Sequence, residues 1–343
     1  MKFPAAPRFL RESLGKTLGG LLLAGALTAS LHAGPLEELR ARAQLSPGVD
    51  LGRLQQGGII CTRGALGAFE RGISLESCYF IHAPMQVVGN ALLHWNPLQH
   101  EDLDVRLYRE YSLPGPPDVF KRLKLEPSLP DDHWLLKKTA VAAQTGVADG
   151  LHLTNGEVTL LGQQKTPDTA WQEILRRRSD ALARGGLAAV PPYGADGSIS
   201  PGSEFRGLLS LVPKAARHFR PVTEARPFVA GGKAASEAVA YWETTKIRDH
   251  TSLQLGLFAA QKGADSWQLA DCVYYPSDTY FMALNLFQLW PVDGGTLVWQ
   301  VGLASAPFRS YLGGIDRYFA GEIMTQETLA TIKAFRADLE KHN

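Results

Sequence analysis

The last hundred residues constrain the fold more than any other part of this chain. Four apolar runs follow one another with only turn residues between them: Leu253–Gln261, Trp267–Tyr275, Thr279–Trp290 and Thr296–Ala304. The breaks are Lys262-Gly263-Ala264-Asp265, Pro276-Ser277-Asp278 and Pro291-Val292-Asp293-Gly294-Gly295. Connections this short force neighbouring strands to be antiparallel. Ala238–Ile247 adds a fifth strand just upstream. Thr325–Lys341 then contains no Pro or Gly, and Leu329, Ile332, Phe335 and Leu339 recur at helical spacing. Ile315, Tyr318, Phe319 and Ile323 extend that helix back towards Gly313-Gly314. The expectation is an α+β fold, a curved antiparallel sheet with a long C-terminal helix packed across it.

Side chains alternate across a strand, so 279–290 can be read one face at a time. One face carries Phe281, Ala283, Phe287 and Leu289, interrupted by Asn285; the other carries Tyr280, Met282, Leu284, Leu286 and Trp290, interrupted by Gln288. Both faces are apolar, so both must be covered or must line a cavity. The small Ala283 suits the first face to a close-packed helix. The expectation is that the C-terminal helix takes the Phe281, Phe287, Leu289 side. An apolar ligand would then lie against Tyr280, Met282, Leu284 and Leu286. The alternative is a solid core with a structural or interaction role.

The N-terminus supplies an address. Lys2, Arg8, Arg11 and Lys16 against the single acid Glu12 precede the uncharged run Leu18–Leu31, and Leu31-His32-Ala33 fits a cleavage site. This is the pattern of a secretory signal peptide, residues 1–33, cut near Ala33. The apolar run, about 14 residues, falls short of the roughly 20 that span a bilayer. Export to the periplasm or medium follows as an expectation, with residues 34–343 as one domain. That remainder has 31 basic and 33 acidic residues. Near-neutrality gives no reason to expect a nucleic-acid partner. Three cysteines remain, Cys61, Cys78 and Cys272. Export permits a disulfide, of which Cys61–Cys78 is the most local, and no Cys-x-x-Cys spacing suggests redox or zinc chemistry.

Gly57–Cys61 and Ser74–Ile81 read as strands, and a helix begins at Pro84 with Val87, Val88, Ala91, Leu92 and Trp95 as its apolar stripe. The run Ala83-Pro-Met-Gln-Val-Val-Gly-Asn-Ala-Leu-Leu-His-Trp95, entered from a strand, resembles the start of START-like, Bet v 1-type helix-grip domains. The resemblance lies in the order of elements, over about 73–111 and 238–341. It implies a sheet and a C-terminal helix gripping an apolar cavity, a non-catalytic role in binding a lipid-like or other apolar small molecule, and no cofactor. It also puts the junction carrying Arg309, Asp316 and Arg317 near the cavity mouth. Residues 112–236 stand as an insert. Within it, Thr166-Pro167 opens the clearest helix, with Trp171, Ile174, Leu175 and Leu182 on one face. Arg176-Arg177-Arg178 on that helix offers either a solvated face or a transient membrane-surface contact.

Two groups carry an alternative, enzymatic reading as a hydrolase or metal-dependent enzyme. His94 and His100 with Glu101, Asp102 and Asp104 are the densest set of metal-ligand types, although their spacing matches no standard zinc motif. Asp271, Tyr274, Tyr275, Asp278 and Tyr280 cluster about one hairpin, and tyrosines such as Tyr274 and Tyr280 suit a cavity rim. No nucleophile elbow, phosphate loop or dinucleotide glycine pattern is present. The candidate ligand-binding set is therefore Tyr274, Tyr280, Met282, Leu284, Leu286 and Arg309.

Overall fold

The turn residues of the C-terminal block do what their chemistry predicts. Asp293-Gly294, with Gly294 at φ 84°, makes a two-residue hairpin closed by the Val292–Gly295 pair. The computed structural model describes residues 34–43, 49–100, 103–193, 198–247, 249–308 and 315–341. Its strands are β1 (Ile59–Arg63), β2 (Gly72–Ile81), β3 (Val105–Tyr111), β4 (Glu237–Ile247), β5 (His250–Lys262), β6 (Trp267–Pro276), β7 (Met282–Val292) and β8 (Gly295–Ser305). They form one eight-stranded sheet in the order β1-β2-β8-β7-β6-β5-β4-β3. Every pairing is antiparallel. Register shifts opposite Leu255/Gly256 and at Val105/Leu107 introduce bulges, which bend strands and curve a sheet. The strand β3 was not foreseen from sequence.

The helices are α1 (Pro35–Arg42), α2 (Leu51–Gln55), α3 (Met85–Leu93), α4 (Pro130–Thr145), α5 (Asn155–Gln163), α6 (Pro167–Gly185), α7 (Pro201–Leu211), α8 (Pro213–His218), α9 (Arg220–Thr223) and α10 (Ile315–Glu340). Local signals fix several ends. Thr154 and Glu157 form a reciprocal capping box on α5, and Gly146 at φ 73° stops α4. No helix among the described residues is long and apolar enough to cross a membrane.

The two sheet faces carry separate cores. On one, Ile332 and Phe335 of α10 and Met85, Val88 and Leu92 of α3 pack on Tyr79, Trp267, Leu269, Phe287, Leu289 and Val298. The C-terminal helix thus takes the Phe287 and Leu289 face, the side that the small Ala283 suited to it, while Phe281 lies in the other core. In its first turns Tyr318, Phe319 and Ile323 are exposed, while Arg317 and Gly321 face inward. On the other face the insert helices build the larger core around Trp171, Ile174, Phe219, Trp242 and Trp299. This face is closed by buried polar groups as well as apolar ones. Arg178 of α6 is wholly buried and pairs with Glu157 at 2.6 Å, while Arg176 and Arg177 pair with Glu173. The arginine trio is therefore one interior cation and two ion-paired surface residues.

The cysteines settle by register. Cys61 lies opposite Ser77, and Cys78 opposite Ile60, so the two thiols point to opposite faces of the sheet. Both are free, as is Cys272.

Candidate functional site in the grip between sheet and C-terminal helix

The expected ligand face is filled. Met282, Leu284, Leu286 and Tyr274 are 0% exposed and belong to the same packed cluster as the insert side chains Leu153, Trp171 and Tyr193. The volume expected to hold a ligand beside these four is core. Leu284→Trp should therefore overpack the interior and lower stability by about 1–3 kcal/mol. A urea midpoint unchanged from wild type would show spare volume there.

Tyr280 behaves differently. Its hydroxyl donates to Gln254 Oε1 at 2.8 Å, whereas Phe281 turns into the insert core against His152 and Tyr193. Simple alternation along 279–290 predicted the reverse. Phe281 and Met282 are consecutive yet both lie in the insert core and both meet Ser305, so the alternation breaks between them, where the strand proper begins. Arg309 lies outside the described residues. Its neighbour in the sequence reading, Arg317, is buried and donates to the carbonyls of Gly72 and Phe69, tying α10 to the loop before β2. It also lines a recess of about 330 Å³ with Arg63, Leu66 and Ile73, apart from the Met282, Leu284 and Leu286 face.

The hairpin group is divided between faces. Asp271 and Tyr280 point to the α10 side. Tyr274 and Tyr275, doubled on one side by the bulge opposite Leu255, are buried in the insert core. Burial pushes the Asp278 carboxyl up, but bonds from His250, Ser252, Thr279 and Ser277 outweigh it and hold it below the usual range. His250 itself stacks on Trp134 with ring centroids 4.0 Å apart. The His94–Asp104 group is dispersed too. His94 bridges Glu110 at 3.0 Å and Glu237 at 3.2 Å, and His100 pairs with Asp338 of α10 at 2.7 Å. Glu101 and Asp102 lie outside the described residues. Among the described residues no group of three His, Cys, Asp or Glu side chains is arranged to hold a metal.

What the α10 face does assemble is a row of polar side chains crossing the sheet. Ser77 Oγ donates to Gln300 Oε1 at 3.4 Å, and Gln300 Nε2 to Asn285 Oδ1 at 3.3 Å. Asn285 Nδ2 donates to Asp271 Oδ2 at 3.4 Å, and the Tyr241 hydroxyl to Asp271 Oδ1 at 2.9 Å. The row runs through β2, β8, β7 and β6 to β4, because Ser77 faces Gln300 and Asp271 faces Asn285 in the ladder. Asp271, Asn285 and Gln300 line a cavity of about 110 Å³, walled by Phe258, Phe287, Leu92 and Trp95 and roofed by Thr331, Ile332 and Phe335 of α10. Trp95 Nε1 donates to Asp338 Oδ2 at 3.2 Å, so the end of α3 and the end of α10 are fastened to each other beside the cavity.

An aromatic strip continues from it. Tyr241 lies between Tyr108 and Phe258, with centroids 5.5 and 5.4 Å away. Gly256 makes this possible, since a Cβ there would come within 1.9 Å of the Tyr241 ring. Gly256→Val should lift Tyr241 off the sheet and break its bond to Asp271. The readout is an upfield-to-downfield change in the Tyr241 ring resonances, and an unaltered ring environment would contradict the close approach.

Two carboxyls on this face are held near neutrality. Burial lifts Asp271 to about 6, against the pull of the Tyr241 and Asn285 hydrogen bonds. Burial, then the charge of Asp271, lifts Glu243 to about 7, with Thr245 opposing. Both remain half-buried. Desolvated acids with displaced pKa values in a concavity mark functional-site candidates.

Comparison with known proteins adds little to this geometry. No protein-family model matches the chain, and no curated protein sequence is similar to it. The solved structure of Ara h 8.0201 is similar at 12% identity over 41% of this chain and 90% of that chain, with a TM-score of 0.23. That likeness is too low to carry an argument. The α+β architecture stands on the strand order and the placement of α10.

Proposed function

We propose that this protein binds a small organic molecule, without chemical change, in the grip between the sheet and α10. The supporting observation is the cavity whose floor is the Gln300–Asn285–Asp271 row and whose walls are aromatic and aliphatic. Pockets of this kind combine an apolar lining with a few convergent polar groups. The ligand is an apolar or lipid-like body carrying at least one hydrogen-bonding group, and it lies on the face opposite to Met282, Leu284 and Leu286. At about 110 Å³ the cavity is smaller than the usual 300 to 1,000 Å³ or so, so uptake requires α10 to move outward. Export, from the signal-peptide pattern of residues 1–33, is part of the proposal.

Native mass spectrometry followed by organic extraction tests it. The expected result is a co-purifying organic compound that is absent from Asn285→Trp, a substitution that fills the cavity floor. Binding should also slow amide exchange along α10. A ligand retained equally by Asn285→Trp would place binding elsewhere and end this reading.

One observation favours a second reading. Carboxyls poised at about 6 and about 7 suit general acid and base work near neutral pH. In that case Asp271→Asn would abolish turnover of the compound, whereas a binder would keep it intact.

A further inference from the structure

A large concavity lies away from the grip, in the insert. It is a trough of about 800 Å³ between α7, α8 and α9 and the segments around Leu187 and Phe228. Its floor is apolar and fixed. The Leu187 amide donates to the Phe228 carbonyl at 3.0 Å, and the Phe205 and Phe228 rings stack at 5.4 Å. Leu187, Phe205 and Phe228 are all buried, while Leu209 and Ala216 form half-buried walls. A recess of this volume lies within the range of small-molecule sites.

The rim has one sign of charge. Arg206 on α7, Arg217 at the end of α8 and Arg220 at the start of α9 are exposed along it, against the single acid Glu224. That acid is already paired with Arg220 at 3.0 Å. Among the described residues Arg206 meets only the Ser203 hydroxyl, at 3.2 Å, and Arg217 has no ion pair. Two guanidinium groups are thus left above an apolar trough. Guanidinium is the side chain best matched to a planar carboxylate, which it holds through two parallel hydrogen bonds.

We infer that this trough binds a single-chain anionic amphiphile, a long-chain carboxylate with its chain on Phe205, Leu187 and Phe228 and its head at Arg206 and Arg217. The site is separate from the grip and its occupancy does not depend on the ligand proposed there. The apolar surface is recessed between helices instead of protruding, which suits a single inserted chain and not the plane of a bilayer.

The test is titration of the full chain with dodecanoate, dodecanol and dodecyltrimethylammonium, each below its micellar concentration, by calorimetry with NMR mapping. Dodecanoate should bind at least tenfold more tightly than dodecyltrimethylammonium and shift resonances of Phe205 and Phe228. Arg206→Glu combined with Arg217→Glu should cost at least tenfold for dodecanoate and leave dodecanol within twofold. Leu209→Trp should weaken both, and Ala216→Phe, which fills the trough from α8, gives the same reading where Leu209→Trp does not fold. Equal affinity for the anionic and cationic probes would overturn the inference, as would shifts confined to Asp271, Asn285 and α10. Binding of phosphatidylglycerol vesicles without binding of monomeric dodecanoate would also overturn it.

Discussion

Arg178→Met is expected to destabilise the protein by about 3–5 kcal/mol, the cost of breaking one side of a buried ion pair. Arg178 has no exposed surface, donates to Glu157 at 2.6 Å and to the Pro191 carbonyl at 2.8 Å, and lies over the Tyr275 ring at 4.1 Å. Methionine replaces the aliphatic stem but leaves the Glu157 carboxylate buried without its cation. That carboxylate also accepts the Thr154 amide and caps α5, so the loss reaches two helices. Adding Glu157→Gln should restore part of the stability by removing the stranded charge. Urea unfolding of the single and double variants provides the measurement. A single variant within about 1 kcal/mol of wild type would mean that water reaches the pair, as it does at surface ion pairs.

Asp271→Asn should act in the opposite direction, and only above mild acid. The folded protein keeps a proton on Asp271 up to about pH 6, whereas the unfolded chain releases it near 3.8. Stability associated with this group is therefore fully present below about pH 4 and is lost as the pH rises through about 6. Glu243, ordinarily near 4.5 and here at about 7, extends the same loss to neutral pH. Asparagine removes the ionisation but keeps an oxygen for Tyr241. At pH 8 the variant should be more stable than wild type by about 1–2 kcal/mol, less than the rise from 3.8 to about 6 implies because the side chain is only half-buried. At pH 4 the two should coincide. Equal stability at both values would show an ordinary surface carboxylate. A sheet that carries two such acids at a cost in stability fits the pattern of binding and catalytic sites.

The fold was legible in the sequence because its strands are separated by turn chemistry and its last helix has an uninterrupted apolar stripe. The runs at 253–261, 267–275 and 296–304 fall within β5, β6 and β8, and Ile332 and Phe335 are the buried contacts of α10. β3 was missed because Val105–Tyr111 mixes Arg106, Arg109 and Glu110 with its apolar residues and is half-buried along nearly all its length, an edge strand without clear alternation. The site was only half legible. Asn285 was visible as an interruption in an apolar face, but nothing local says that Asp271 lies beside it. That follows from the register of β6 on β7, set by pairs far apart in sequence. Tyr280 and Met282 were assigned to one face because periodicity cannot detect the break in alternation between Phe281 and Met282, which both meet Ser305. Arg178 was read as a surface residue for a similar reason. Its position between Ile174, Leu175 and Leu182 does put it on the buried stripe of α6, but its partners Glu157 and Tyr275 come from other elements, which periodicity cannot reveal.

The polar row that floors the grip also bears on how the chain avoids folding wrongly. A strand that slips by one position turns all its side chains over. Slippage of β6, β7 or β8 would drive Asp271, Asn285 or Gln300 into the layer now occupied by Leu284, Leu286 and Trp299, all of them fully buried. An unpaired polar group in such a layer costs several kcal/mol. The same slip would leave a leucine or tryptophan facing the empty end of a broken hydrogen-bond row. Five antiparallel strands in succession offer many nearly equivalent pairings, and the row penalises the adjacent ones in three strands at once. The side chains that floor the cavity thereby act as an alignment key during assembly of the sheet.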